Sequence, residues 1–597
     1  MRINSIRFAG GVNSIDNFAR SWQRAAGFFE ITPVRPSFRY SELEEEEEPG
    51  YERQSVEESV GREHRSLLKQ ALEHEQRRPS DHVIEEAGPS RDDSADSQQG
   101  TVRNRRSTRG DSIFQIEPQL ASVFGGSYGT TYGSLASRVN ESSMRDAGHM
   151  FRQQQMAGIT APDKEREPLL VRQVQEDDGK MINVVVGQST LPQTIFNSVN
   201  VLIGVGLLAL PLAVQYSGWV PGLIFLVLSA IVTSYTAKLL AKCLDVDNSL
   251  ITFADLAFVS FGSKARIATS ILFSLELLAT CVALVVLFAD SLDALIPGWG
   301  TTEWKVLCGI LVIPMAFLPL RLLSFTSILG ILSCFGIVVA VVADGLIKKD
   351  SPGSLLHPAK THLFPKHWGS LPLSFGLLMS PWGGHSVFPN IYRDMRHPYK
   401  YRRGVDITYA FTATLDIFMA VVGLLMFGDS VRDEITSNIF LTDGYPEWLS
   451  ILICICIAII PLTKIPLNAR PIISTLEVLL GLDARAVASS PALHGMSGFS
   501  RGILRATIRI LCIAAFVILA ILVPSFDRIM GLLGSVACFS ICIILPLAFH
   551  LKIFGKELSR TERWSNWIII VISTVLAVVS TVFNFFPKES LGIKVPE

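Results

Sequence analysis

Beyond residue 188 the apolar positions cease to be interspersed with charge. They fill stretches of about 20 residues, the length a helix needs to cross a hydrocarbon core of roughly 30 Å. Eleven such stretches follow, at about 189–213, 219–243, 266–296, 304–321, 325–347, 370–392, 404–427, 446–470, 503–523, 527–550 and 564–586. Before residue 189 the pattern is the opposite, with Glu, Arg, Ser and Gln dominant and apolar runs short. Neither the acidic run from Glu44 to Glu48 nor the basic patch at Arg103, Arg105, Arg106 and Arg109 buries enough apolar surface to offset the entropy of ordering it. The pattern predicts an all-α polytopic membrane protein behind a long disordered tail, residues 1–188.

Composition sharpens this reading. Charged residues make up 18% of the chain against about 25% in an ordinary soluble domain, and they concentrate in the tail. The net charge of −1 averages two unlike regions, so it points to no nucleic acid or other charged partner. All nine cysteines lie in or at the ends of apolar stretches, without the spacing of a disulfide framework or a zinc site, and read as small packing residues. No nucleotide loop, metal cluster or nucleophile motif stands in a water-accessible context, so an enzyme, a cofactor and a metal are not expected.

The tail carries two local signals. Ile6 to Phe29 mixes Phe, Trp and Arg as a short interfacial helix would, but lacks the continuous apolar core of a signal peptide, which leaves the N-terminus expected in the cytosol. Glu165 followed by Leu169-Leu170, in a Pro-containing segment, resembles the dileucine sorting signals read by adaptor complexes. Glu63 with Leu67-Leu68 fits the same loose pattern.

An odd number of spans puts the two termini on opposite sides. With the tail cytosolic, the 392–404 loop is cytosolic too, and it holds Arg393, Arg396, Lys400, Arg402 and Arg403 as the positive-inside rule requires. The 427–446 loop, on the far side, is acidic on balance. The 347–370 loop disagrees, since Lys348, Lys349, Lys360 and Lys366 fall on that far side.

Two apolar spans are broken by glycine at their middle, at Gly204-Val205-Gly206 and at Ser380-Pro381-Trp382-Gly383-Gly384-His385. In lipid a helix satisfies its own backbone, so a break at membrane depth persists only where protein or a water-filled cavity replaces the lost partners. Two breaks in corresponding positions of two halves predict a substrate site near the midplane. The half-helix that starts beyond Gly206 offers its positive end to a carboxylate, and Trp382 is expected to pack over a substrate side chain. Ionisable groups inside spans point the same way, because a charge at the bilayer centre costs several kcal/mol and faces a cavity or a partner. Glu276 in the third span is the leading candidate for a proton carrier, followed by Asp416 in the seventh and Lys464, between Pro461 and Pro466, in the eighth.

The strings Asn200 to Pro211, Glu276 to Asp290, Val387 to Arg396 and Phe427 to Val431 resemble the amino acid/auxin permeases, and within them the fungal vacuolar transporters of the AVT group. The resemblance covers about 189–586. It implies a LeuT-like fold with a first inverted repeat at 189–348, a second at 370–550 and an additional eleventh span at 564–586. It also implies exchange of protons for neutral amino acids, moved from cytosol into a vacuole or lysosome-like lumen. Substrate would lie against Ile203, Gly204, Val205 and Gly206 with Ser380, Trp382 and Gly383 opposite. Sodium-coupled relatives use an asparagine matching Asn200 together with a hydroxyl on the eighth span; here 457–460 is aliphatic and Lys464 lies nearby, which favours protons as coupling ion. A plasma-membrane uptake carrier of the same fold, or an amino acid sensor with little transport, fits the same residues.

Overall fold

The computed structural model describes residues 15–27, 38–40, 169–175, 181–246, 252–318, 320–479, 498–555 and 558–593. Helices occupy all eleven predicted stretches. Eight are long and apolar enough to cross a membrane unbroken, and Leu191–Leu202 with Gly206–Ser217 makes a ninth that bends by 56° at its break. The fourth, Thr301–Met315, is short at 15 residues. The sixth divides into Leu371–Met379, a 3-10 turn at Ser380–Trp382 and a final helix, Phe388–Arg393. The second, third, fifth and seventh spans are Trp219–Leu244, Ser263–Leu295, Leu320–Ile347 and Tyr401–Phe427. The eighth is Glu447–Leu479, with three prolines inside it, and the ninth is Gly498–Leu522. Leu191 follows a capping box in which the Thr190 N–H donates to Gln193 Oε1 at 2.9 Å.

The tenth span changes hydrogen-bonding register along its length. It begins as Phe526–Leu532, widens into a π-helix over Leu533–Ile544 and returns to α-helix at Leu545–Phe554. The widened part lies against the second break. A Cβ on Gly534 would sit 1.8 Å from the Gly376 carbonyl oxygen, so only glycine permits the sixth and tenth spans to approach this closely.

The eleventh span, Arg560–Asn584, inverts the polarity of a soluble amphipathic helix. Trp564, Trp567, Val571, Val575, Val578 and Val582 form an exposed apolar stripe, while Asn566, Ser573, Ala577, Ser580 and Asn584 face inward. In a bilayer the apolar stripe meets lipid. The inner stripe does the binding: Ser580 Oγ accepts from the Gly376 N–H at 3.1 Å, and Thr581 Oγ1 donates to Ser535 Oγ at 3.0 Å.

Two of the four lysines that departed from the charge rule contact the acidic loop they share an end with. Lys366 pairs with Asp429 at 2.7 Å, and Lys348 Nζ donates to the Asp443 carbonyl at 2.6 Å. Partial burial pushes the Asp429 carboxyl up, but Lys366 and His362 outweigh it and hold the group below the ordinary carboxylate range. Lys588, just past the eleventh span, joins the same end through Asp527 at 2.8 Å and Asp433 at 3.3 Å.

Where the tail is described it is ordered, and its helix falls within the Ile6 to Phe29 stretch expected to form one. Ile15–Gly27 is a helix of 13 residues, and it packs into the protein rather than lying on a membrane surface. Phe38–Tyr40 pairs in parallel with Leu169–Gln175, which pairs antiparallel with Met181–Val186. The β-branched residues of the last two strands and the Asp178-Gly179 turn signal between them favour this hairpin over an open tail. Leu169 and Leu170 of the dileucine pattern therefore belong to a paired strand, and Glu165 lies outside the described residues.

Candidate functional site

The two glycine breaks meet. The first span leaves α-helical geometry at Ile203, whose backbone is extended (φ −73°, ψ 109°), and resumes at Gly206. A Cβ on Gly206 would lie 3.1 Å from Ser380 Oγ and 3.3 Å from the Pro381 nitrogen. Glycine at 206 is thus what lets the restarted half-helix touch the second break. Gly204 is different: a Cβ there would meet nothing within 4 Å.

Between the breaks lies a cavity of about 150 Å³. A cavity of that size holds a benzene-sized molecule elsewhere, so it admits a small or medium amino acid. Among the sequence-predicted residues, Asn200, Gly204, Val205, Gly206, Glu276, Ser380, Gly383 and Lys464 line it. Glu276 comes from the third span and is 7% exposed. Its Oε2 has no hydrogen-bond partner among the described residues, while Ser386 supplies a side-chain hydrogen bond. A Cβ on Gly383 would stand 3.1 Å from Glu276 Oε1, so the bare backbone of the second break is what admits the carboxyl. Here a titratable group, a hydroxyl and unwound backbone converge on one small volume.

Lys464 reaches the other side of the first break. Its Nζ donates to the Ile203 carbonyl at 2.5 Å, at the point where the helix has lost its own donor for that oxygen. Nearby, Asn200 Nδ2 donates to Ser327 Oγ of the fifth span at 2.5 Å. Gly330 keeps the fifth and eighth spans close, because a Cβ there would fall 2.9 Å from Thr463 Oγ1. The Lys464 side chain thus serves the carbonyl that the break leaves without a helical donor.

Three predicted residues do not line the cavity. Ile203 is absent from the lining and gives its carbonyl to Lys464. Trp382 is fully buried and stacks on Tyr409 of the seventh span (centroids 5.6 Å apart, planes within 10°), so its ring turns away from the cavity expected to hold a substrate side chain. Asp416 is buried in the seventh span and lies outside the cavity lining. Behind the break, His385 Nε2 lies 3.0 Å from both Thr236 Oγ1 and the Thr233 carbonyl, which ties the break to the second span.

Sequence reading missed Ser386, Cys538 and Trp22. Cys538 carried no signal beyond an apolar context; its thiol approaches the Ser380 carbonyl at 3.8 Å only because the π-helix rotates it there. Trp22 stands in the tail helix, and the mixed Phe, Trp and Arg pattern was its one visible sign.

A polytopic helical protein whose first and sixth spans break around one shared cavity is a membrane transporter, not an enzyme. The chain belongs to the transmembrane amino acid transporter family, whose sequence model matches residues 187–586. It is 30% identical over 398 residues to amino acid transporter AVT1E of Arabidopsis thaliana, covering 65% of this chain and 71% of that one. Amino acid transporter AVT1D of the same plant is 29% identical, with 64% and 67% covered. The vesicular inhibitory amino acid transporter of Rattus norvegicus is 25% identical, with 64% and 73% covered. Among solved structures, the chain is similar to a sodium-coupled sialic acid symporter (TM-score 0.43, 14% identity, 68% of this chain and 91% of that one). MhsT in complex with L-phenylalanine is another (TM-score 0.42, 13% identity, 66% and 98%).

Proposed function

We propose that this protein is a proton-coupled antiporter that moves neutral amino acids from the cytosol into a vacuolar or lysosome-like lumen by alternating access. The observation that carries the reading is the convergence of both unwound breaks and the Glu276 carboxyl on one cavity. Val205 and Gly206 open the restarted half-helix toward the substrate carboxylate, with Ser380 and Gly383 forming the opposite wall. The cavity's small volume and its single acidic side chain match a zwitterion better than a second net charge. Glu276 takes a proton from the acidic lumen and releases it to the cytosol, and each release lets the cavity load an amino acid for the return. Lys464 donates to the Ile203 carbonyl from its own side chain, which supports protons rather than sodium as the coupling ion. The name of the vesicular relative from rat supports an internal membrane. In that setting the N-terminus is cytosolic and the C-terminus lumenal. The repeats at 189–348 and 370–550 supply one break each, and the eleventh span stands outside them.

Purified protein in sodium-free, acid-inside proteoliposomes should accumulate labelled neutral amino acids, and collapse of the pH gradient should stop it. A requirement for sodium, or accumulation restricted to charged amino acids, contradicts the proposal.

A further inference from the structure

The helix at Ile15–Gly27 is bound to the two segments that carry the breaks. Arg24 Nε pairs with Asp394 Oδ1 at 2.8 Å, both side chains being 5% exposed, and Arg24 Nη2 donates to Ser189 Oγ at 3.3 Å. Ser189 also hydrogen-bonds Asp394, and Ser21 Oγ lies 2.6 Å from Ser189 Oγ. Asn197 of the first span donates from Nδ2 to Ser21 Oγ at 2.7 Å, and Phe18 sets its edge on Phe196 at 5.2 Å. Burial pushes the Asp394 carboxyl above its ordinary range while Arg24 and Ser189 oppose that, so the carboxyl depends on the helix for its charged partner.

The same helix reaches the cavity. Trp22 forms part of the cavity wall and is 9% exposed, and its indole N–H has no acceptor among the described residues. Besides the first span, the helix packs against the fifth, Leu320–Ile347. It is therefore wedged between the span that breaks and a neighbour, at the end of the bundle that carries Ser189, Asp394 and the basic 392–404 loop.

A wall residue supplied by a segment outside the spans is unlike the others, because it leaves if the segment leaves. We propose that residues 15–27 are a self-ligand of the transporter: the helix docks through Arg24, Ser21 and Phe18, closes one end of the cavity with Trp22, and must undock before the cavity opens at that end. The buried ion pair gives the dock its register, since Arg24 meets Asp394 in the arrangement that sets Trp22 in the cavity wall. The tail thereby sets the fraction of molecules able to transport. The inference rests on the cavity being the transport site, but not on which amino acid or ion is carried.

Two measurements on the full-length chain separate these claims. In Ser21→Cys/Ser189→Cys protein the parent Oγ–Oγ distance of 2.6 Å is close to the S–S length of about 2.05 Å, so mild oxidation should tether the helix in place. Uptake should then fall to background and return with reductant, while either single variant is indifferent to both treatments. The second measurement needs no transport. In Asn468→Cys protein the introduced thiol lines the cavity beside the native Cys538, and a bulky maleimide should label position 468, read by peptide mapping, several-fold faster when Arg24→Ala is added. Trp22→Ala, which keeps the ion pair, should speed labelling as well, and it covers the case in which Arg24→Ala fails to fold. Tethered protein that transports at the reduced rate, or labelling unchanged by both variants, overturns the inference. Labelling that responds while no neutral amino acid is taken up upholds it and rejects the proposed substrate instead.

Discussion

Gly204 and Gly534 lack a side chain for opposite reasons, and the difference is measurable. At Gly534 a methyl would collide with the Gly376 carbonyl, so Gly534→Ala should lower stability by about 1–3 kcal/mol, read as a lower thermal midpoint in detergent. At Gly204 a methyl meets no protein atom and enters the cavity. Gly204→Ala should leave the midpoint alone and raise the KM for uptake by about tenfold, which corresponds to roughly 1.4 kcal/mol. Trp382 supplies a third case. Its ring is held by Tyr409, so Trp382→Phe should preserve the rank order of transported amino acids; a reordered panel would return Trp382 to the substrate. Residue type located both breaks in the sequence, because glycine and proline at membrane depth free backbone groups that only a cavity or a neighbouring helix can satisfy. Where Trp382 points was not legible, since its direction is set by an aromatic ring 27 positions away on another span.

Elements differ in how openly they announce themselves. Long apolar spans were visible from composition alone, and even the weak fourth span, at 15 residues, kept its place in the series. The π-helical stretch of the tenth span was not visible, because Leu533–Ile544 reads like any other apolar run and its register follows from contact with the sixth span. The tail helix was half visible: its aromatic and basic pattern suggested an amphipathic helix, but its partners Ser189, Asn197 and Asp394 lie more than 160 positions away. At this scale the eleventh span makes the clearest prediction. Ser580→Leu replaces the acceptor for the Gly376 N–H with bulk on the inward face, and should cost about 1–3 kcal/mol of stability. Val575→Ala, on the lipid stripe, should cost far less in the same thermal assay.

For the whole molecule, the two ends are built differently. One end is held by the exposed pair of Lys366 with Asp429 and by Lys588, which meets the buried Asp527 and the more exposed Asp433. The other is held by the buried Arg24 and Asp394 pair and by backbone bonds between Ser189 and the segment 394–396. Breaking a buried pair by removing one partner costs about 3–5 kcal/mol, whereas exposed pairs contribute about 0–1 kcal/mol. Each end therefore contains one buried pair, and only at the tail end does that pair join the bundle to a segment outside the spans. The central claim is that the carboxyl of Glu276 couples proton movement to amino acid movement across the shared cavity. Its most direct test measures lumenal pH and labelled amino acid together in acid-inside proteoliposomes, for the parent protein and for Glu276→Gln. The parent should lose lumenal acid in step with amino acid entry, and Glu276→Gln should still exchange amino acid across the membrane but neither release acid nor accumulate substrate. Coupled proton exit and accumulation that survive Glu276→Gln would contradict the account.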